Sequence, residues 1–297
     1  MDRHTDHHSD NEDNSAPETV IIINCVLNAP LMLISILGNA LVLAAIIRTP
    51  SIRSTPHMIM LCSLAVSDLL VGLIAQPLYI GDLLLERGYN YNASSMIGYS
   101  LCVVSLLTIT VITVDRFLAL HYHMRYATLV TESRVKFTLV IMWLISFLVS
   151  GLQLWNTYVY SILVSVVIII CLIISTISYI RIYHIVRRHQ LHINAQQQAV
   201  QNSDAENNLN LTRLKRGALN IFVFYIVLIV CYFPIYVSSI RYGTSNEVGQ
   251  AEWTFAYSLV FSNSSINPFL YCWRLRELRT AVIKTAKRML CKQTEEN

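Results

Sequence analysis

The chain has 297 residues, 54% of them hydrophobic and 13% charged, with a mean hydropathy of +0.49 and a net charge of +4. Soluble domains carry about a quarter charged residues, so this balance excludes an ordinary soluble domain and points to a chain that crosses a bilayer many times. The small positive excess is a topology signal and not the footprint of a nucleic-acid binder.

Residues 1–19 are polar, acidic and His-rich, with no basic stretch leading into a cleavage site. They read as a disordered extracellular tail, and the span behind them as the insertion signal. Seven apolar stretches follow, each long enough to cross a hydrocarbon core of roughly 30 Å as a helix. They lie near 20–47, 57–83, 94–121, 135–153, 158–186, 214–240 and 253–273. The predicted fold class is an all-α membrane protein: a seven-transmembrane helix bundle over 20–273, with an amphipathic cytoplasmic eighth helix and tail over 274–297. The fourth and fifth spans are separated only by Gln153 to Tyr158. Residues 190–211, rich in Gln and Asn, read as a flexible cytoplasmic loop.

Lys and Arg accumulate on the cytoplasmic side of membrane proteins. With the N-terminus outside, 19 of the 22 basic residues share one face, and only Arg3, Arg87 and Arg241 fall on the other. The expectation is a multi-pass plasma-membrane protein with an extracellular N-terminus. Asn92-Ala93-Ser94 then lies outside, making Asn92 a glycosylation candidate. Six of the seven cysteines lie inside spans, so no extracellular disulfide is expected. The seventh, Cys291, ends a stretch with Leu275, Leu278, Val282, Ile283, Ala286 and Leu290 on one face and basic residues on the other. That pattern suits a helix on the inner leaflet, with membrane lipids as partners and Cys291 as a palmitoylation site.

Within the apolar runs the polar residues are few: Asn39 behind Gly38, Asp68 in the second span, Ser105 in the third, and Asn263, Ser264 and Asn267 in the seventh. Pro234 and Pro268 interrupt the sixth and seventh spans, releasing carbonyls for neighbouring polar groups. Asp115-Arg116-Phe117 closes the third. Ionised residues at these depths cost a few kcal/mol each, so such sites are functional by default; the alternative is interhelical hydrogen bonding alone.

Taken together, Gly38-Asn39, Leu64-Ala65-Val66-Ser67-Asp68, Asp115-Arg116-Phe117, Trp143, Tyr179, Cys231-Tyr232-Phe233-Pro234 and Asn267-Pro268-x-x-Tyr271 resemble the rhodopsin-like G-protein-coupled receptor family over about 20–291. The resemblance implies a receptor that transmits binding of an extracellular ligand to a heterotrimeric G protein by outward movement of the sixth helix, a population shift with no chemical step. It implies a G-protein switch of Asp115, Arg116, Tyr179, Asn267, Pro268 and Tyr271. It also implies an allosteric sodium pocket of Asp68, Ser105, Asn263 and Asn267. The implied ligand pocket comprises Tyr99, Cys102, Tyr232, Tyr236, Trp253 and Tyr257, aromatic and uncharged, suited to a lipid, a nucleoside-like molecule or an aromatic peptide residue.

Departures from the family pattern narrow the choice. Tyr91 stands near the usual staple cysteine, the second extracellular loop is nearly absent and the fifth span lacks its proline, features similar to the melanocortin, cannabinoid and lysolipid receptor group. The acidic cluster of melanocortin receptors is replaced by Leu78, Tyr91 and Ser95. Gly98 stands where amine receptors carry an Asp, and Phe261 where opsins carry the retinal lysine. Tyr232 replaces the sixth-span Trp, Leu228 the Phe below it, and Leu214 an acid that pairs with the third-span Arg, so raised basal activity is expected. A membrane transporter or channel would need several buried charges or paired broken helices. An intramembrane enzyme would need a Ser-His pair, paired aspartates or a metal cluster, and no span offers one.

Overall fold

The computed structural model describes residues 18–85, 93–122, 125–199, 223, 225–241 and 249–295. Tyr91, Asn92, Leu214 and residues 1–17 lie outside these, as do the side chains of Ser95 and Cys291. Among the described residues the main helices are α1 (Glu18–Ile47), α2 (Pro56–Leu84), α3 (Ala93–Tyr122), α4 (Glu132–Trp155), α5 (Thr157–Ala199), α6 (Tyr225–Arg241), α7 (Gln250–Arg274) and α8 (Arg276–Glu295). One-turn helices at Pro50–Arg53 and Tyr126–Leu129 sit in the connections.

Local chemistry sets several of the boundaries. Pro56 occupies the first turn of α2, where its missing N–H costs nothing. Farther along, Pro77 lacks the donor its position needs, and the turn ahead of it, Val71–Ala75, widens to a π-type turn that absorbs the mismatch. Thr131 precedes Glu132 at the start of α4, and Glu132 pairs with Lys136 one turn on at 2.5 Å. The α4–α5 connection is shorter than expected: Asn156 alone separates the helices, and its Oδ1 accepts from the Val159 N–H as an N-cap at 3.1 Å. Another correction falls on α5, which stays helical to Ala199, past the start of the loop expected at 190.

The bundle is closed by α1 against α7 and α2, and by α3 against α2, α4 and α5. A Cβ on Gly38 would lie 2.9 Å from Pro268 Cγ, and one on Gly72 2.9 Å from Ile36 Cγ1, so both crossings depend on a missing side chain. Close approach lets Asn39 Nδ2 donate to the Ser264 carbonyl at 3.1 Å, which is the physical content of Gly38-Asn39. Higher up, Asn24 donates to the Thr254 carbonyl and Asn28 to Ser258 Oγ, while Ser265 donates to the Leu31 carbonyl. Hydrogen bonds thus join α1 to α7 along much of their length, a seam the sequence reading did not identify. Trp143 Nε1 donates to Ser63 Oγ at 3.0 Å and ties α4 to α2.

Among the described residues the core runs through Val42, Leu64, Val71, Leu101, Leu106, Leu228 and Phe261. Large apolar side chains on the outer faces of α1, α4 and α5 are exposed, as expected of a lipid-facing surface. Helix α8 packs on α1 and α7 through buried Leu278, Ala281 and Thr285. Ile283, placed with the apolar stripe from sequence, is exposed instead, because the buried stripe follows 278, 281 and 285.

Candidate functional site

Three polar or aromatic features line up along α3. At mid-height Asp68 is fully buried, and its carboxylate accepts three hydrogen bonds of 2.8 Å: from Ser105 Oγ and Ser264 Oγ on Oδ1 and from Asn267 Nδ2 on Oδ2. The charge is thereby spread over α2, α3 and α7, as a buried ion requires. Asn263 makes no bond to Asp68, and its Nδ2 is buried without a partner. Ser264, one residue on, occupies the bonding position, because α7 turns that face toward α2. The Ser35 hydroxyl donates to the Asp68 carbonyl from α1.

At the Arg116 end, the guanidinium lies 3.5 Å from Asp115 Oδ2. Asp115 is buried and also accepts from the Tyr126 hydroxyl at 2.6 Å. Tyr126 sits on the one-turn helix Tyr126–Leu129, and nothing in the sequence pattern marks it as a partner. Burial and the neighbouring carboxylate raise the Tyr126 phenol above its usual range, so it stays a protonated donor. Arg116, Tyr179 and Tyr271 line one cleft of about 440 Å³, together with Ile112, Arg274 and Leu275. Tyr179 shares a hydrogen bond with Thr113 Oγ1 at 3.2 Å and packs on Tyr225 of α6, whose hydroxyl meets Thr176 at 2.6 Å. Arg274, not among the switch residues expected from sequence, brings a second guanidinium within electrostatic reach of Arg116.

Toward the opposite end, a cavity of about 450 Å³ opens between α3, α5, α6 and α7. Tyr99, Cys102, Tyr232 and Tyr257 line it; Tyr236 and Trp253, grouped with them from sequence, do not. Trp253 stacks on Tyr257 with ring centroids 5.7 Å apart, and Tyr236 packs on Phe233. The residues the sequence reading missed are chiefly Tyr160, Val164 and Ile168 of α5 and Phe261 of α7. An apolar α5 face with one tyrosine carries no distinctive pattern. The Tyr99 and Tyr257 hydroxyls hydrogen-bond each other across α3 and α7, and Tyr232 donates to the Cys102 carbonyl at 3.3 Å. All six described cysteines are free thiols.

A bundle of this kind, with a buried acid at mid-height, an aromatic cavity at one end and a guanidinium cleft at the other, defines a seven-helix membrane receptor. The chain matches the family 7 transmembrane receptor (rhodopsin family) over residues 38–157 and 152–271, and it belongs to that family of G-protein-coupled receptors, which are not enzymes. The histamine H2 receptor of Rattus norvegicus is 28% identical over 290 residues, covering 88% of this chain and 78% of that receptor. Adenosine receptor A2b of Gallus gallus is 24% identical, covering 94% and 91%. Melanocortin receptor 4 of Danio rerio is 26% identical, covering 96% and 89%. Coupling of an extracellular ligand to a G protein is therefore the receptor's function, and the transporter or channel reading is not favoured.

Proposed function

We propose that the chain is a plasma-membrane receptor with its N-terminus outside, in which the aromatic cavity receives the ligand and the Arg116 cleft engages the G protein. The observation that carries this reading is the convergence of Arg116, Tyr179 and Tyr271 on one cleft, with Asp115 buried behind it. At rest Asp115 holds Arg116, and Tyr126 holds Asp115. Outward movement of α6 draws Tyr225 away from Tyr179 and opens the cleft to the G protein, while Asn267 and Pro268 give α7 the local freedom to follow. Ligand binding biases this two-state equilibrium by its differential affinity for the two packings.

The Asp68 cluster fits an allosteric sodium ion. Asp68, Ser105, Ser264 and the amide oxygens of Asn263 and Asn267 are the hard oxygen donors such an ion takes. The orphaned Asn263 Nδ2 is a buried donor that a water of the ion's shell would satisfy. Bound there, the ion would supply a positive charge that favours the inactive packing. Basal activity is raised, because Leu214 provides no acid as a second hold on Arg116. Asn92 is glycosylated, and Cys291 is palmitoylated with α8 on the inner leaflet.

A second-messenger screen in transfected cells, with lipid, nucleoside and peptide libraries, tests the reading. A ligand that moves one pathway in the wild type and not in Arg116→Ala supports it. Equal signalling by Arg116→Ala at equal surface expression refutes it.

A further inference from the structure

Among its described lining residues, the cavity between α3, α5, α6 and α7 carries no ionised side chain. Its walls are hydrocarbon from residues such as Leu106, Val164, Ile168 and Phe261, together with four tyrosines and the Cys102 thiol. Three of the four phenols already have protein partners: Tyr99 and Tyr257 bond each other, and Tyr232 bonds the Cys102 carbonyl. The fourth does not. Tyr160 is 5% exposed, and its hydroxyl completes no hydrogen bond. Beside it, behind the cavity wall, lies the hydroxyl of buried Ser150, near enough to interact with the phenol but without a well-formed hydrogen bond to it. A buried phenol on a cavity wall without a well-formed hydrogen bond is rare in native structures, where nearly all such groups are satisfied.

Gly98 adds a second observation. A Cβ there would meet only the Cβ of Ala75, at an ordinary 3.6 Å. Helix packing therefore does not demand glycine at this position, unlike Gly38 and Gly72. A glycine inside a helix is unfavourable relative to alanine, yet here its effect is to leave space on the cavity wall. The same position leaves an ammonium ligand without a carboxylate, and an anionic ligand finds no Lys or Arg among the described lining residues. Burying either charge unpaired is heavily disfavoured.

We infer that the cavity binds an uncharged lipid, a hydrocarbon body bearing one hydroxyl or carbonyl group that takes up the Tyr160 hydroxyl. The inference rests on the receptor reading for the cavity's role as the ligand site, but its test needs no G protein. The cavity lies between α3, α5, α6 and α7, so the lipid's polar end would meet α5 at Tyr160. Gly98 admits the body of the lipid against α3.

The test uses the full-length receptor purified in phosphatidylcholine nanodiscs and four photoreactive diazirine-alkyne probes: a monoacylglycerol, a sterol, a fatty acid and a long-chain primary amine. Labelling by at least one neutral probe should be saturable, competed by its unlabelled parent and mapped by mass spectrometry to peptides carrying Cys102 or Tyr160. The monoacylglycerol and sterol arms tell an acyl body from a ring body. The two charged probes should label these peptides at least tenfold less. Gly98→Leu should abolish saturable labelling, and Tyr160→Phe, which keeps the ring and fold, should weaken it about five- to tenfold. Equal labelling by the charged probes, non-saturable labelling by both neutral ones, or full labelling of Tyr160→Phe overturns the inference. In those cases the receptor reading still stands or falls separately on Arg116→Ala signalling.

Discussion

Gly38 offers the sharpest stability prediction, because the structure states what an added methyl group would meet. In Gly38→Ala the new Cβ lies 2.9 Å from Pro268 Cγ and 3.1 Å from Pro268 Cβ. Carbon pairs prefer about 3.5–4.0 Å, so α1 must retreat from α7 by roughly 0.5–1 Å. The Asn39 Nδ2 to Ser264 carbonyl bond, already 3.1 Å, then passes beyond hydrogen-bonding distance. Overpacking costs about 1–3 kcal/mol and the lost bond about 1 kcal/mol more. For a chain of this size a total of about 2–4 kcal/mol lowers the melting temperature by on the order of 5–10 °C. Gly81→Ala is the matched control, since nothing lies within 4 Å of its Cβ. Thermal unfolding of both variants in the same nanodiscs decides the matter. If Gly38→Ala melts within a degree of Gly81→Ala, the close α1–α7 crossing is not what requires glycine.

Other predictions follow from the same contacts. Tyr232→Phe removes the hydroxyl that reaches the Cys102 carbonyl at 3.3 Å; losing about 1 kcal/mol that favours the closed α3–α6 packing should raise basal second-messenger output several-fold, and an unchanged output contradicts this. Asp68→Asn should abolish sodium dependence: at tenfold excess over its dissociation constant sodium should stabilise the wild type by about 1.4 kcal/mol, read as a melting shift between sodium and N-methylglucamine chloride. An equal shift in the variant would remove the ion from Asp68. Arg274→Gln relieves the repulsion between two guanidiniums in one cleft, so Arg116 should settle on Asp115 and basal activity should fall; a rise would contradict the electrostatic argument.

The seven spans were legible because a bilayer imposes a long apolar run on each helix and leaves polar residues conspicuous. Asp68, Ser105, Asn267 and Arg116 stood out for that reason, Tyr179 and Tyr271 came from the resemblance to the receptor family, and the fold brings the six into two clusters. What stayed hidden is set by rotation and by partners distant in sequence. Asn263 and Ser264 are both polar, and only the rotation of α7 decides that Ser264 faces Asp68. Tyr126 looks like any loop tyrosine until its short helix is placed against α3. On the cavity wall, Tyr160, Val164 and Ile168 belong to an unbroken apolar stretch, in which lipid-facing and cavity-facing residues have the same chemistry. Trp253 and Tyr236 illustrate the converse: both are aromatic and suitably spaced, yet they pack beside the cavity's residues and not on its wall.

The central claim, that Arg116 in its cleft is the output of the receptor, is tested most directly by guanine-nucleotide exchange. Purified wild type and Arg116→Ala, reconstituted in nanodiscs at equal folded concentration, are compared across a panel of heterotrimeric G proteins without ligand. At least one G protein should exchange nucleotide above its receptor-free rate with the wild type and return to that rate with Arg116→Ala. Exchange that is accelerated equally by both proteins would contradict it.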